Sequence, residues 1–186
     1  MRKGIFIVIS GPSGVGKDTI ASKLVKSGHG IYSVSMTTRR IRKNEIDGKD
    51  YFFVSKEVFK KYIEEDKFLE YAKYNDNYYG TLKDFVFKNI NEGINVVAVL
   101  DIQGGMNIEK IFPPAVLIFI MPPSFEELEK RLRKRNTDSE EDIIKRLKIA
   151  KEEINYKDKY DYIVINNTVD KTVDDIIKII EKEKNR

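Results

Sequence analysis

The amino-acid sequence predicts an α/β fold in which a parallel β-sheet is flanked by helices. Short apolar runs alternate with segments whose apolar residues recur at helical spacing. Polar residues follow directly after three of these runs, at the carboxyl ends of the predicted strands. In open α/β sheets ligands bind at those ends, so the same pattern that predicts the fold also predicts where the chemistry lies.

Four apolar runs are predicted to be buried parallel strands. They span residues 5–9, 96–100, 115–121 and 162–165. Gly11–Lys17, Asp101 and Asn166 are the polar groups that follow three of them. We therefore expect these groups to lie near one another at one edge of the sheet.

Amphipathic patterns predict the helices that pack on this sheet. One helix begins at Lys17, and another begins at Ser124, whose spacing to Glu127 is that of a capping box. Two more are indicated by apolar residues at helical spacing. These residues are Ile143, Leu147, Ala150 and Ile154 in one helix, and Val173, Ile176, Ile177 and Ile180 in the other.

The segment from about residue 35 to residue 90 departs from this alternation. It is polar, rich in Tyr and Phe, and contains short alternating stretches such as residues 51–54. It is predicted to be an inserted small lobe of short strands with one helix over residues 56–65. Pro/Gly/Ser-rich linkers and internal repeats are absent from the sequence, which predicts one domain over residues 1–186.

Composition excludes several classes of function. The 186 residues carry 34 Lys and Arg against 30 Asp and Glu, and contain one His and no Cys. Disulfides, thiolate metal sites and cysteine nucleophiles are therefore excluded. The first apolar run has five residues, too few for a secretory signal or a membrane span, so we expect a cytoplasmic protein without a membrane partner. The net charge of +4 suits a local cationic pocket, and no signature of nucleic-acid binding is present.

A glycine-rich loop between the first strand and the first helix predicts phosphate binding. Its glycines let successive backbone N–H groups point at an anion, the helix N-terminus adds partial positive charge, and Lys17 reaches the β- and γ-phosphates. The alternative is a glycine-rich turn that only caps a helix. The candidate ATP-binding residues here are Gly11, Pro12, Ser13, Gly14, Val15, Gly16, Lys17, Asp18 and Thr19.

Asp18 departs from the usual form of this motif, in which Ser or Thr follows the lysine and binds Mg²⁺. The carboxylate is either a first-turn residue favoured by the helix dipole or a ligand of Mg²⁺, directly or through water. Asp18 is therefore the candidate metal ligand, and Mg²⁺ bound with ATP is the expected cofactor.

Further motifs follow in a fixed order. Hydroxyls and closely spaced arginines occupy residues 33–42, and forked guanidiniums match the oxygens of a phosphate. Downstream lie the stretches 68–71 and 77–81. Taken singly, these pieces are better explained as a solvated basic loop, a surface glutamate and core tyrosines.

Together the motifs closely resemble the guanylate kinase family, over residues 5 to about 177. The family pattern of phosphate loop, SxTTRxxRxGExxGxxYxF, FxE, YYG, DxQG and arginine-containing lid is present in this order. The resemblance implies a P-loop kinase core (residues 1–34, 91–125 and 151–186), a small mixed-β GMP-binding lobe (about 35–90) and a helical lid (about 126–150). It implies transfer of the γ-phosphoryl of ATP to GMP, and to dGMP, giving ADP and GDP in purine nucleotide metabolism.

The resemblance also implies roles for individual residues. The GMP phosphate would be held by two arginines and two tyrosines, and the guanine by a set of carboxylates and hydroxyls in which Glu70 accepts from N1–H and the 2-amino group and Thr81 donates to O6. Lys17, Arg42, Arg135 and Arg146 would act on the transferring phosphoryl, with Asn166 near the adenine of ATP. The GMP-binding set is Ser35, Arg39, Arg42, Tyr51, Glu70, Tyr79, Thr81 and Asp101.

Two departures from the family pattern motivate a hypothesis about the metal. Val99 stands where the family has an acidic residue, and Asp18 stands where it has a hydroxyl. Asp18 is therefore predicted to replace both in the metal shell. Asn44 replaces a glycine before Glu45, with little expected effect because Asn tolerates left-handed backbone geometry.

Two alternative functions remain open at the level of sequence. One is a binding module of this fold that has lost catalysis, for which Asp18 is the single favourable feature. The other is a kinase for a different nucleoside monophosphate, which Glu70, Thr81 and Asp101 disfavour. The expected partners are ATP and GMP, with no obligate protein partner evident.

Overall fold

In the computed structural model, which describes residues 3–74, 76–134 and 139–185, five of the strands form one parallel sheet. The strands in chain order are β1 (Phe6–Ser10), β2 (Ile31–Tyr32), β3 (Met36–Thr37), β4 (Phe52–Phe53), β5 (Phe68–Tyr74), β6 (Asn77–Leu82), β7 (Val96–Val99), β8 (Val116–Met121) and β9 (Tyr162–Ile165). The helices are α1 (Lys17–Lys26), α2 (Lys56–Glu64), α3 (Lys83–Asn91), α4 (Ile102–Ile111), α5 (Phe125–Lys134), α6 (Glu140–Ile154) and α7 (Val169–Lys184).

Strand β1 lies at the centre of the parallel sheet, whose order is β2-β7-β1-β8-β9. All five residues of β1 are buried, because helices cover both faces of the sheet. Successive side chains alternate between two apolar clusters, with Ile7 and Ile9 in one and Phe6 and Val8 in the other. The α/β fold predicted from the apolar runs is thus confirmed, and the phosphate loop leaves the central strand.

The helices divide between the two faces. Helices α1, α5, α6 and α7 contribute to the cluster around Ile7, while α3 and α4 contribute to the cluster around Val8. Helices α5 and α6 therefore have apolar anchors in the core, among them Leu128, Leu132 and Ala150. The loop that follows β1 emerges between these two layers.

A second, mixed sheet of four strands in the described residues has the order β4-β3-β6-β5. Strands β3 and β4 are parallel, whereas β6 runs antiparallel to both β3 and β5. Helix α2 covers this sheet through the buried Phe59, whose ring stacks on Phe68 and Tyr78 at centroid distances of 4.4 and 5.4 Å. The sheet has its own small apolar cluster, separate from the two around β1.

Several local details differ from the sequence predictions. Helix α2 ends at Glu64, one residue before the predicted end. Half of the predicted capping box is seen, because the hydroxyl of Ser124 accepts from the backbone N–H of Glu127. The Glu127 carboxylate pairs with Arg131. Strand β2 and helices α3 and α4 were not predicted. Across the part of the chain that the structure describes, no helix is both long and apolar enough to cross a membrane.

Candidate active site

The phosphate loop connects the carboxyl end of β1 to the first turn of α1. Gly11 and Gly16 adopt positive φ angles of 142° and 100°, which side chains with a Cβ rarely tolerate. A Cβ at Gly11 would also overlap the carbonyl oxygen of Ile120 in the neighbouring strand. Gly16 is the N-cap of α1 and brings no side chain to cap it. The loop thus presents backbone rather than side chains at a helix N-terminus, as anion binding requires.

Lys17 lies in this loop as the sequence predicts. Its ammonium group donates to the carbonyl oxygens of Gly11 and Pro12, at 2.6 and 3.2 Å. These bonds fold the lysine back along the loop, so that its charge lies where an anion in the loop would meet it.

Asn166 follows β9 and supports the loop from behind. Its side chain is buried, donates to the carbonyl oxygen of Val15 at 2.8 Å, and accepts from the hydroxyl of Thr172 at 3.1 Å. The backbone carbonyl oxygen of Asn166 accepts from the guanidinium of Arg131. The side-chain atoms of Asn166 therefore bind protein groups, and its observed contacts are with the loop.

An open cavity of about 430 Å³ lies beside the loop, between α5 and the start of α7. Its lining includes the backbone of Gly14 and Gly16, together with Thr19, Arg131 and Thr168. A cavity of this size that is continuous with an anion-binding loop can hold a nucleoside. Arg131 was not singled out in the sequence, where residues 131–135 are equally typical of a solvated helical face.

On the other side of the cleft, Glu70 and Thr81 form a buried polar pair. They are cross-strand partners on β5 and β6, and the Thr81 hydroxyl donates to the Glu70 carboxylate at 2.8 Å. Glu70 is only 4% exposed. The pKa of Glu70 is raised to about 7, mainly by burial, with a smaller lowering by the bond from Thr81 and a smaller raising by the Asp101 carboxylate. In this structure the Thr81 hydroxyl donates to Glu70, whereas the family resemblance implies that it donates to guanine O6.

Asp101 joins this pair from the N-cap position of α4. Its carboxylate accepts from the backbone N–H of Gly104 at 2.7 Å and so caps the helix. A Cβ at Gly104 would lie 3.3 Å from both the Glu70 and the Asp101 carboxylate oxygens. The missing side chain at Gly104 therefore lets two carboxylates share one small space. Ser35, also buried, ends the segment that leads into β3.

The predicted phosphate-holding residues of the small lobe form a second cluster. The Arg39 guanidinium pairs with Glu45 at 2.6 Å and lies over the Tyr51 ring at 5.4 Å from its centroid. Tyr51 in turn contacts Tyr79 edge-on, with ring centroids 6.0 Å apart. Arg42 is exposed. Its backbone N–H donates to Glu45 at 2.8 Å.

Glu45 is a residue whose role sequence reasoning missed, although it stood in the quoted motif. The Arg39 guanidinium beside it lowers the pKa of this carboxyl, and Glu45 raises the pKa of Arg39. A bidentate pair of this kind fixes the plane of the guanidinium. Glu45 thus orients Arg39.

Asp18 links the two halves of the site. Burial raises the pKa of Tyr51 to about 12, and the next largest contribution is the negative charge of Asp18. Burial also raises the pKa of Tyr32, and the Asp18 carboxylate adds to that rise. The charge of Asp18 therefore acts on two tyrosines outside the phosphate loop. In the described residues no group of three or more acidic or histidine side chains is arranged to hold a metal ion by itself.

The predicted lid residues are only partly described. Arg146 lies half-buried on α6. Burial raises the pKa of Tyr74 on β5, and the positive charge of Arg146 opposes part of that rise. Arg135 lies outside the described residues. Helix α6 also carries Glu153, whose carboxylate accepts from the backbone N–H of Ser13 at 3.2 Å. Glu153 was not predicted; its only signal in the sequence is a position two turns after Arg146 on the same helix.

Comparison with known proteins assigns the family. A profile for guanylate kinase matches residues 3–183. The chain belongs to the guanylate kinase family. A guanylate kinase from Caldanaerobacter subterraneus subsp. tengcongensis is 55% identical over 186 residues, which are 100% of this chain and 90% of that protein. One from Clostridium tetani is 47% identical over 186 residues, 100% of this chain and 89% of that protein.

A solved structure agrees with these relatives. The crystal structure of guanylate kinase from Anaplasma phagocytophilum superimposes with a TM-score of 0.83 at 35% identity, covering 100% of this chain and 88% of that one. The resemblance stated from the motifs is therefore confirmed. As a member of the guanylate kinase family the chain is a nucleoside monophosphate kinase, an ATP:GMP phosphotransferase of nucleotide metabolism. The interpretation as a binding module without catalysis is thereby disfavoured.

Proposed function

We propose that the chain transfers the γ-phosphoryl of ATP to GMP, and to dGMP, with the residues that line the cleft between its two sheets. The observation that carries the proposal is that the buried Glu70–Thr81 pair shares a small space with Asp101, which follows β7, the strand next to the one from which the phosphate loop leaves. Two phosphate-binding clusters that meet in one cleft suit transfer between two nucleotides.

On the donor side, the loop N–H groups and Lys17 bind the β- and γ-phosphates of ATP. The cavity beside Gly14, Arg131 and Thr168 receives its nucleoside. Asn166 acts by fixing the loop through Val15, besides its expected place near the adenine.

On the acceptor side, Glu70 reads guanine through its ionised carboxylate. Guanine offers N1–H and the 2-amino group as paired donors, whereas adenine lacks this pair and would leave a buried charge unmatched. Thr81, Ser35 and Asp101 complete the pocket; when guanine binds, the Thr81 hydroxyl exchanges its bond to Glu70 for one to O6. All of these residues are assigned to the base and none to the 2′-hydroxyl, so dGMP is expected to be accepted as well.

Arg39, Arg42, Tyr51 and Tyr79 hold the GMP phosphate and direct one of its oxygens at the γ-phosphorus. That oxygen forms the new P–O bond while the bond from the γ-phosphorus to the bridging oxygen of ATP breaks, and ADP leaves with the electron pair. Arg146 and Arg135 neutralise the charge that spreads over the transferring group as the lid closes and excludes water.

Asp18 is proposed to hold Mg²⁺ together with the nucleotide phosphates. Magnesium is commonly bound by one or two carboxylates plus substrate phosphates, so a single exposed carboxylate beside the loop fits it. When bound, the ion neutralises the β- and γ-phosphate oxygens. Without the ion the same carboxylate repels the phosphates.

The reaction is tested by a coupled ADP-release assay with GMP, dGMP, AMP, UMP and dTMP as acceptors. We expect turnover with GMP and dGMP, and at most a small fraction of that rate with the others. Tight binding of GMP without any turnover would instead support the non-catalytic binding module.

The metal role is tested by comparing Asp18→Ser and Asp18→Asn with the parent protein. If Asp18 contacts the ion, Asp18→Asn requires a higher Mg²⁺ concentration for half-maximal rate, and Asp18→Ser is affected less because a hydroxyl can also bind the ion. An identical Mg²⁺ requirement and rate in all three proteins would contradict this role.

A further inference from the structure

Helix α6 places a carboxylate on the phosphate loop. Glu153 lies in the last turn of α6, and its Oε2 accepts from the Ser13 N–H at 3.2 Å across 140 residues of sequence. Ser13 is the third residue of the loop whose backbone binds phosphate. A protein carboxylate therefore occupies one of the donors of the anion site.

The surroundings show that this is more than a surface contact. Glu153 is half-buried, and burial raises its pKa while the positive charge of Lys17 lowers it. Its negative charge also acts on Tyr74 of the small lobe and on Tyr160, which precedes β9. The carboxylate is thus partly withdrawn from solvent, against the loop backbone and in the field of the loop lysine.

We propose that the Glu153 carboxylate occupies the phosphate loop in the nucleotide-free enzyme and is displaced by the phosphates of ATP. This inference rests on the proposed role of the loop in binding those phosphates. The Glu153 carboxylate and a phosphate oxygen both bind a loop N–H and are both attracted by the charge of Lys17. They also repel each other, so both cannot be held there together.

The competition lowers the apparent affinity for polyphosphate. If only the fraction of molecules with Glu153 withdrawn can bind, the apparent affinity falls by that fraction. A hydrogen bond to a charged group in such a setting corresponds to a factor of about 10 or more in this equilibrium. The same contact would keep the empty loop ordered and its N–H group satisfied, which is the benefit that offsets the loss of affinity.

The decisive variant is Glu153→Gln. A glutamine can still accept from the Ser13 N–H, so the hydrogen bond is retained while the negative charge is removed. Glu152→Gln is the matched control, because Glu152 is the exposed neighbour on the same helix and its change removes the same charge. Glu153→Ala, which removes charge and acceptor together, is the second variant.

Binding of inorganic tripolyphosphate, without Mg²⁺ and at pH 8, is measured by calorimetry for all four proteins, with GMP as a second ligand. We expect Glu153→Gln to bind tripolyphosphate about 10-fold more tightly and Glu153→Ala to gain at least as much, because each loses the competing charge. Affinity for GMP is expected to change less than about twofold, as the GMP phosphate is assigned to the other lobe. Glu152→Gln is expected to match the parent for both ligands.

Each other outcome has a definite meaning. Unchanged or weaker tripolyphosphate binding by Glu153→Gln, with GMP binding intact as evidence of folding, overturns the inference. An equal gain in Glu152→Gln also overturns it, since the effect would then be one of general charge. If the parent protein bound neither tripolyphosphate nor ATP, the proposed role of the loop would fail instead, so the two failures are distinguishable.

Discussion

In the proposed mechanism the two halves of the cleft bind their ligands by different means. The donor half is made of backbone, namely the loop after β1 with its glycines, and it is supported by Lys17 and Asn166. The acceptor half is made of side chains, the buried Glu70–Thr81 pair and the Arg39 cluster on a small mixed sheet. Backbone N–H groups distinguish anions from neutral groups but read no base, whereas a buried carboxylate distinguishes guanine from adenine. The comparison teaches that transfer chemistry and substrate choice reside on different elements and are separable by mutation.

Lys17→Met gives the sharpest test of the donor half. The thioether side chain keeps the stem but removes the charge that meets the phosphates, so kcat/KM is expected to fall about 1,000-fold. GMP binding measured by calorimetry is expected to be unchanged, because its residues lie in the other lobe. Lys26→Met, at an exposed position of the same helix, serves as the control for loss of a lysine. If the Lys17→Met protein loses GMP affinity to the same extent, the donor and acceptor halves are not separable by mutation.

Glu70→Gln addresses the acceptor half. An amide presents a donor to the paired donors of guanine, so kcat/KM for GMP is expected to fall about 100-fold while ATP binding is retained. The ratio of kcat/KM values for GMP and AMP, from steady-state assays with each acceptor, should fall with it. The exposed Glu64 on α2, changed to Gln, is the control. If the ratio of kcat/KM values for GMP and AMP is unaffected, Glu70 does not determine the specificity for guanine.

Gly105→Ala affects both halves, because α4 lies between the core and the guanine pocket. A Cβ at this position would overlap the Tyr160 hydroxyl and lie 3.1 Å from the Ser10 hydroxyl. Overpacking of this kind is expected to lower the free energy of unfolding by about 2 kcal/mol, measured by urea denaturation. Adding Tyr160→Phe removes the overlapping oxygen and should restore part of the loss. If the double variant recovers none of the lost free energy of unfolding, the overlap with the Tyr160 hydroxyl is not the cause of the strain.

The pH dependence of GMP binding is the smallest and most local effect. Only the ionised form of Glu70 accepts from both guanine donors, and its pKa of about 7 in the free protein lies well above the usual value. Below pH 7 the ionised fraction falls, so KM for GMP should rise, by at most about tenfold per pH unit. KM for ATP provides the comparison in the same assays. A KM for GMP that is flat from pH 5.5 to pH 8 would contradict the assignment.

The same shift has a consequence for stability with a definite sign. Because the pKa of Glu70 is higher in the folded state than in the unfolded chain, the folded state binds its proton more tightly. The resulting stabilisation is complete below the unfolded value near 4.5 and is lost as pH rises through about 7. Glu70→Gln should remove this part of the pH dependence of unfolding.

Much of the fold could be predicted from the sequence because its signals are local. The buried strands are short apolar runs, and the phosphate loop lies between strand and helix where the motif requires. Helix α4 could not be predicted in the same way. It contains Gly104 and Gly105, which disfavour helix, and only the packing of carboxylates and Tyr160 against them explains their presence.

The residues of the candidate site also differ in how far local sequence patterns predict them. Phosphate binding at Lys17 followed from spacing alone, whereas the acceptor residues came from the resemblance and stay predictions. The partners of Arg39 and Ser13 depend on tertiary structure. Glu153 reaches the loop across 140 residues, and no local pattern marks that contact. Two-residue strands such as β2 carry too few residues to show a periodicity.

The glycines of α4 also bear on how this chain can change over evolutionary time. Gly104 makes room for the acids of the guanine pocket, and Gly105 lets the helix approach Tyr160 beneath the central strand. Any amino-acid substitution at either position adds a side chain, so a change at Gly104 would disturb the pocket and a change at Gly105 the core. Exposed apolar positions such as Ile144 and Ile163 are free of that constraint. Substitution is therefore expected to be tolerated more readily at such exposed positions than at the two glycines.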